Sequence, residues 1–201
     1  MARISAEQRR QDFVEAAVEV IAAHGVSGAT TRRIADAAQA PLATLHYCFH
    51  TKEELFVAVF QKQNEGMAER LEVEEGAGLE KAALEILASS AEWYIDNPRY
   101  ARAQFDLFLW ATRQGGDHTE LASEIIEWYI QRFVDAFDRA ADADDDPTLA
   151  LPLANFLLST LDGVTLEWCA HQDLDRLKSE LAFATEAIEL LVRSRRASSR
   201  G

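Results

Sequence analysis

An all-α fold of about nine helices is predicted by three features of the sequence. Apolar residues recur at helical spacing along nearly the whole chain, glycine or proline interrupts that pattern at helix-length intervals, and no convincing strand pattern is present. The chain has 201 residues, 48% of them hydrophobic, which is enough to bury a core in one or two domains. Its opening, MARISAEQRRQDF, lacks the apolar run of a signal peptide, and longer apolar stretches are broken by charge before ~18 residues. A cytoplasmic chain that does not engage a membrane is expected. Cys48 and Cys169 fit neither a CxxC nor a zinc spacing and read as two thiols.

The elements follow in order. Ser5-Ala-Glu-Gln8 has the form of a capping box, and Phe13, Ala16, Ala17, Val20 and Ile21 then repeat at helical spacing as far as His24-Gly25, where glycine supplies a left-handed cap. Thr30 or Thr31 caps a short second helix with Ile34, Ala35 and Ala38 inward. Ala40 precedes Pro41 and is held extended, so the chain turns at Gln39-Ala40, and Pro41 suits the first position of a third helix. That helix, Leu42 to Cys48, buries Leu45 and Phe49 and turns Ala43, Thr44, His46 and Tyr47 elsewhere. Thr51-Lys-Glu-Glu54 is a second capping box. It opens a long fourth helix expected to reach about residue 75, with Leu55, Phe56, Val59, Phe60 and Met67 inward.

Two short helices joined by a tight turn and propped by longer ones present a helix to a DNA major groove. The charge pattern agrees. Seven of the 20 basic and seven of the 34 acidic residues lie in 1–62, so the whole net charge of −14 belongs to 63–201. A neutral module with clustered arginines can meet a phosphate backbone, because salt screens the acidic remainder beyond ~10 Å.

The register of TTRRIADAA, TLHYCF and KEELF between Phe13 and Phe60 resembles the tetracycline-repressor (TetR) family of bacterial transcriptional regulators. The resemblance covers the first quarter of the chain. It implies an N-terminal helix-turn-helix domain over 1–62 and a larger effector-binding and dimerisation domain over 63–201. It also implies a homodimer on a double-stranded, palindromic operator, regulated by a small-molecule effector. The residues matching the family's DNA contacts are Arg32, Leu42, Ala43, Thr44, His46, Tyr47 and Lys52. Their chemistry suits the role: Arg reads guanine or holds phosphate, Thr and Tyr hydroxyls meet phosphate oxygens, and Ala43 can touch a thymine methyl. The chain departs from the family at Gln39, where glycine is usual, and at Pro41, where a capping serine is usual. His46-Tyr47-Cys48 also shifts an aromatic pair by one position. Gln39 is expected to carry about 1 kcal/mol of left-handed strain.

Beyond Gly76 and Gly78, helices read as 79–96, 99–113 (stopped by Gly115-Gly116), 118–141, 148–171 and 174–194. The basic end RSRRASSR reads as frayed. This part is rich in large aromatics. Most aromatics on helices pack, but rings interleaved with polar groups can line an apolar site. Trp93, Phe105, Phe108, Trp110, Trp128, Phe133 and Asn155 are the candidate effector contacts. The last two helices are strongly apolar. Leu161, Trp168, Leu181 and Ile188 are candidate dimer contacts, with burial inside one subunit as the alternative.

Other functions are less well supported. No GxSxG, HExxH or glycine-rich phosphate loop is present, so an enzyme is not expected, and no cofactor is implied. His46 and His50 stand one turn apart without an evident third ligand, so no metal is expected. A helical protein-interaction adaptor without specific DNA binding is the remaining alternative.

Overall fold

The computed structural model describes residues 5–68, 70–114 and 117–198. Among them the chain forms nine helices and no strand. These are α1 (Ala6–Gly28), α2 (Thr31–Ala37), α3 (Leu42–Cys48), α4 (Lys52–Ala68), α5 (Leu79–Asp96), α6 (Pro98–Gln114), α7 (Asp117–Ala140), α8 (Ala150–His171) and α9 (Leu174–Ser198). The all-α expectation holds. No helix among the described residues is long and apolar enough to cross a membrane.

Local chemistry sets most of these boundaries. Ser5 accepts from the Gln8 amide at 3.0 Å, and Gly25 breaks α1 with φ 70, a conformation open to glycine. Only half of the first capping box forms, the Gln8 side chain reaching Asp12. In the second the Glu54 amide donates to Thr51 Oγ1 at 3.1 Å, and the Glu54 carboxylate accepts from the His50 amide at 2.7 Å.

Three expectations need correction. The fourth helix ends at Ala68, short of residue 75, because Leu71 is buried and its carbonyl accepts from Arg139, while the Gly76 and Gly78 amides bond the carbonyls of Arg139 and Ala140. The basic end is not frayed through 193–198. There α9 continues, and Arg193 pairs with Glu80 while Arg196 pairs with Asp142 and Asp145. Pro41 is the N-cap of α3 rather than its first residue. Gly115-Gly116 and residues 199–201 lie outside the described residues.

Packing divides the chain into two compact units, Met1–Gly66 with Asn97–Thr119, and Met67–Asp96 with Glu120–Gly201. In the first, Phe13, Ile21, Ile34, Leu45, Phe49, Phe56 and Val59 form the core. α6 lies along α1: Tyr100 donates to Glu15 at 2.8 Å, Arg99 pairs with Glu19, and the Val26 amide donates to Asp106 at 2.5 Å. Gln63, buried on α4, meets Gln104 of α6, so its amide is not left unpaired.

In the second unit α5 packs on α8 and α9 around Ile86, Phe133, Phe137, Leu153, Leu157, Leu161 and Ile188. The acidic loop after α7 is structural. Asp145 accepts from the Leu79 amide at the start of α5 and from Arg196, which also reaches Asp142. Gly78 sits against this network at φ 93, and any Cβ there would lie 2.8 Å from Arg196.

Candidate nucleic-acid interface

The second and third helices are joined by a turn whose hydrogen bonds can be followed atom by atom. Thr30 caps α2 by accepting from the Arg33 amide at 3.2 Å. At the other end the Gln39 amide donates to Asp36 O and the Ala40 amide to Ala35 O, with Gln39 at φ 50. This is a Schellman closure with glutamine in the left-handed position. The Pro41 carbonyl then accepts from Thr44 at 2.9 Å, starting α3 without a side-chain cap. Leu45 and Phe49 are buried, which fixes the rotation of α3 about its axis.

That rotation sends the expected contact residues outward. Tyr47 is 80% exposed and Leu42 38%, far beyond what core packing would allow a tyrosine or leucine. Ala43 and His46 are exposed and Thr44 is half-buried. Arg32 is exposed on α2, and no hydrogen bond or ion pair ties it down among the described residues. Lys52 differs from these. Its ammonium donates to the Val26 carbonyl at 3.2 Å and lies 4.9 Å from the centre of the Phe56 ring. Burial lowers its pKa from the ordinary lysine value, with Glu53 opposing.

Three positioning residues are not apparent from sequence patterns. Arg10 of α1 donates to the Cys48 carbonyl at 2.8 Å, with its guanidinium 4.1 Å from the Phe49 ring centre, and so secures the C-terminal end of α3. Arg33 donates to the Gly28 carbonyl at 2.7 Å, so it is not equivalent to the unrestrained Arg32. Asp106 holds the Val26 amide from α6. These partners are remote or backbone groups, and no local motif announces them.

The candidate effector residues are divided between the units. Phe105, Phe108 and Trp110 belong to α6, all half-buried, with Trp110 packed edge-on against Phe56 at 5.2 Å. Trp93, Trp128 and Phe133 belong to the second unit. Trp93 and Phe133 are buried there, and Trp128 is half-buried with Arg132 over its ring. Asn155 is exposed and donates to the Leu151 carbonyl of its own helix.

Among the candidate dimer contacts, Leu161, Trp168 and Ile188 are buried in their own unit and Leu181 is half-buried. The outward face of α8 and α9 carries instead a groove lined by Phe156, Thr160, Gly163, Val164, Phe183 and Ala187, with Glu167 and Glu180 at one end. Glu167, His171 and Glu180 bring their ligand-type atoms within 4.8 Å of one another. The cation between the two carboxylates is Arg176, which pairs with both. His171 Nδ1 accepts from the Asp173 amide at 2.9 Å, which leaves the proton of a neutral ring on Nε2 as a donor.

A short helix with an outward polar and aromatic face, reached through a tight turn and braced by α1 and α4, defines a helix-turn-helix DNA-binding protein of the all-α class. Residues 13–59 match the family described as bacterial regulatory proteins, tetR family. Over 180 residues the chain is 28% identical to the HTH-type nicotine-responsive transcriptional repressor HdnoR of Paenarthrobacter nicotinovorans, covering 86% of this chain and 92% of that protein. Its fold is similar to the multidrug binding protein EbrR complexed with malachite green (TM-score 0.63, 26% identity, 92% of this chain and 98% of that one). It is also similar to the regulator FadR of Bacillus subtilis in complex with stearoyl-CoA (TM-score 0.69, 20% identity, 90% and 97%). Residues 13–59 thus match the DNA-binding segment of the tetR family, and the chain as a whole is similar to transcriptional regulators of that kind.

Proposed function

We propose that this protein is a ligand-responsive transcriptional repressor that binds a palindromic operator as a homodimer and is released from it by a small apolar or aromatic effector. The observation that carries this reading is the outward face of α3, where Tyr47 and Leu42 stand in solvent on a helix whose rotation and far end are fixed by Leu45, Phe49 and Arg10. A surface that exposes apolar and aromatic side chains on a braced helix serves a partner. In the proposed complex Arg32, Thr44 and Tyr47 hold phosphate or base edges and Ala43 and Leu42 meet the thymine side of the groove. His46 lies at the rim, and Lys52 adds one phosphate contact while keeping its bond to Val26.

Residues 1–62 supply DNA binding in this reading, and 63–201 supply the effector site and the dimer face. The repressor and effector assignments draw on the relative named as a nicotine-responsive repressor and on the neighbour complexed with malachite green. Both compounds are small and aromatic. The dimer face is the exposed groove of α8 and α9, since the apolar residues inside those helices are already covered.

The test is a gel shift on the DNA flanking the protein's own gene. Thr44→Ala and Tyr47→Ala are expected to weaken binding about tenfold or more with the fold intact. Lys52→Ala is expected to reduce the salt slope by about one. Operator affinity unchanged in all three variants would return the chain to the helical adaptor reading.

A further inference from the structure

We propose that the start of α3 selects its operator by the 5-methyl groups of thymine, with Leu42 and Ala43 each seated on one methyl in the major groove. The proposal rests on the DNA-binding reading above and names the base feature that this surface takes.

From Ala40 to Thr51 the chain contains no Arg, Lys, Asn, Gln, Asp or Glu. Those side chains make the bidentate hydrogen bonds to guanine and adenine and accept from the cytosine amino group, so α3 has none of the usual polar base readers. What stands in their place is apolar. Pro41, Leu42 and Ala43, the N-cap and first two residues of α3, are all exposed. Leu42 cannot turn inward, because the buried Leu45 and Phe49 and the Arg10 bond to the Cys48 carbonyl hold the rotation of the helix. Ala43 and the exposed Tyr47 lie four residues apart, on the line opposite Leu45 and Phe49.

The first residues of a recognition helix meet base edges, while the helix before it crosses the phosphate backbone. Cations stand on the elements either side of α3: the exposed Arg32 on α2, and Lys52 as the first residue of α4. Phosphate contacts therefore come from outside α3, and selection among bases is left to α3 itself. A leucine or alanine laid on a G·C pair covers guanine O6 or the cytosine amino group and returns no hydrogen bond, which is unfavourable. Laid on thymine, the same side chain covers a methyl group, and apolar surface leaves water on both sides of the contact. Thr44 is half-buried and its hydroxyl donates or accepts alike, so it does not supply the missing discrimination.

The test begins with duplexes that the full chain selects from a random-sequence pool. In the selected site each thymine is replaced in turn by deoxyuridine, which removes the methyl and leaves every hydrogen-bonding group in place. Two thymines for each copy of α3 are expected to lose about fourfold in affinity on this change, the worth of one buried methyl. 5-Bromodeoxyuridine, whose bromine fills the place of the methyl, is expected to restore the affinity. Leu42→Ala is expected to bind the thymine duplex more weakly, to be indifferent to deoxyuridine at one of these positions, and to keep the loss at the other. The leucine is exposed, so the melt of this variant should match wild type and a loss of binding is not a loss of fold.

Deoxyuridine tolerated at every thymine, failure of 5-bromodeoxyuridine to restore binding, or deoxyuridine losses of the same size in Leu42→Ala and wild type would overturn the proposal. Selection of a defined sequence together with any of these results would leave the DNA-binding reading standing and remove the methyl contacts alone. A pool that returns no enriched sequence would remove both.

Discussion

Gln39 turns the chain between α2 and α3 at φ 50, where a Cβ meets its own carbonyl and glycine does not. Gln39→Gly is expected to stabilise the protein by about 0.5–1 kcal/mol, the relieved strain being partly offset by the freer unfolded chain. Gln39→Ala should give no such gain. Denaturant midpoints of the two variants check this, and a Gly variant less stable than wild type would mean that the turn is unstrained. Asp162 on α8 gives a second residue-scale prediction, of opposite sign to the usual carboxylate. Burial raises its folded pKa to about 6, above the ordinary value of 3.8, so between those pH values the folded chain binds the proton more tightly than the unfolded one. Stability from this group is therefore fully present below about pH 4, falls as pH rises to about 6, and stays low above it. Asp162→Asn removes that fall. Near neutral pH the variant should exceed wild type by on the order of 2 kcal/mol, with the difference shrinking towards acid.

The end of α1 is tied to both α6 and α4. Past the Gly25 break, the Val26 amide donates to Asp106 of α6, and its carbonyl accepts from Lys52 at the start of α4. Val26 is buried, so Asp106→Ala would leave an amide without a partner or water, a loss of about 1–3 kcal/mol. Asp106→Asn keeps an acceptor oxygen and should recover most of it. Melting curves of the pair check this, and equal losses would assign the effect to packing instead. Elements governed by neighbours along the chain are legible in the sequence: Thr30 as a cap, Gly25 as a break, and α3 between Pro41 and Phe49. Those governed by distant partners are not. The apolar pattern runs on through Leu71 and Val73, so nothing local shows that α4 stops at Ala68. The arginines of the basic end look unrestrained because Glu80 lies 113 residues from Arg193, and Asp142 54 residues from Arg196. The same limit hides Arg10 behind α3, and it hides that Leu161, Trp168 and Ile188 are buried within their own unit.

At the scale of the whole molecule, the proposed palindromic operator would require two α3 helices related by a twofold axis, so in that reading a dimer face matters as much as α3. The outward side of α8 and α9 leaves Phe183 75% and Phe156 40% exposed around Gly163, where a Cβ would meet nothing within 4 Å. A second copy laid on this face would cover both rings, and the gap at Gly163 admits a close approach of backbones. Phe183→Glu places a charge in that contact beside Glu180, which lies in the same groove. The variant is expected to sediment as a monomer at micromolar concentration and to lose operator affinity by at least about tenfold, with its melt changed by less than about 1 kcal/mol. Leu161→Ala separates this from damage to the fold. Its side chain is buried inside the subunit, so it should cost about 2–5 kcal/mol of stability and leave the oligomeric state unchanged. A Phe183→Glu protein that stays dimeric with full operator affinity would place the twofold contact on another face.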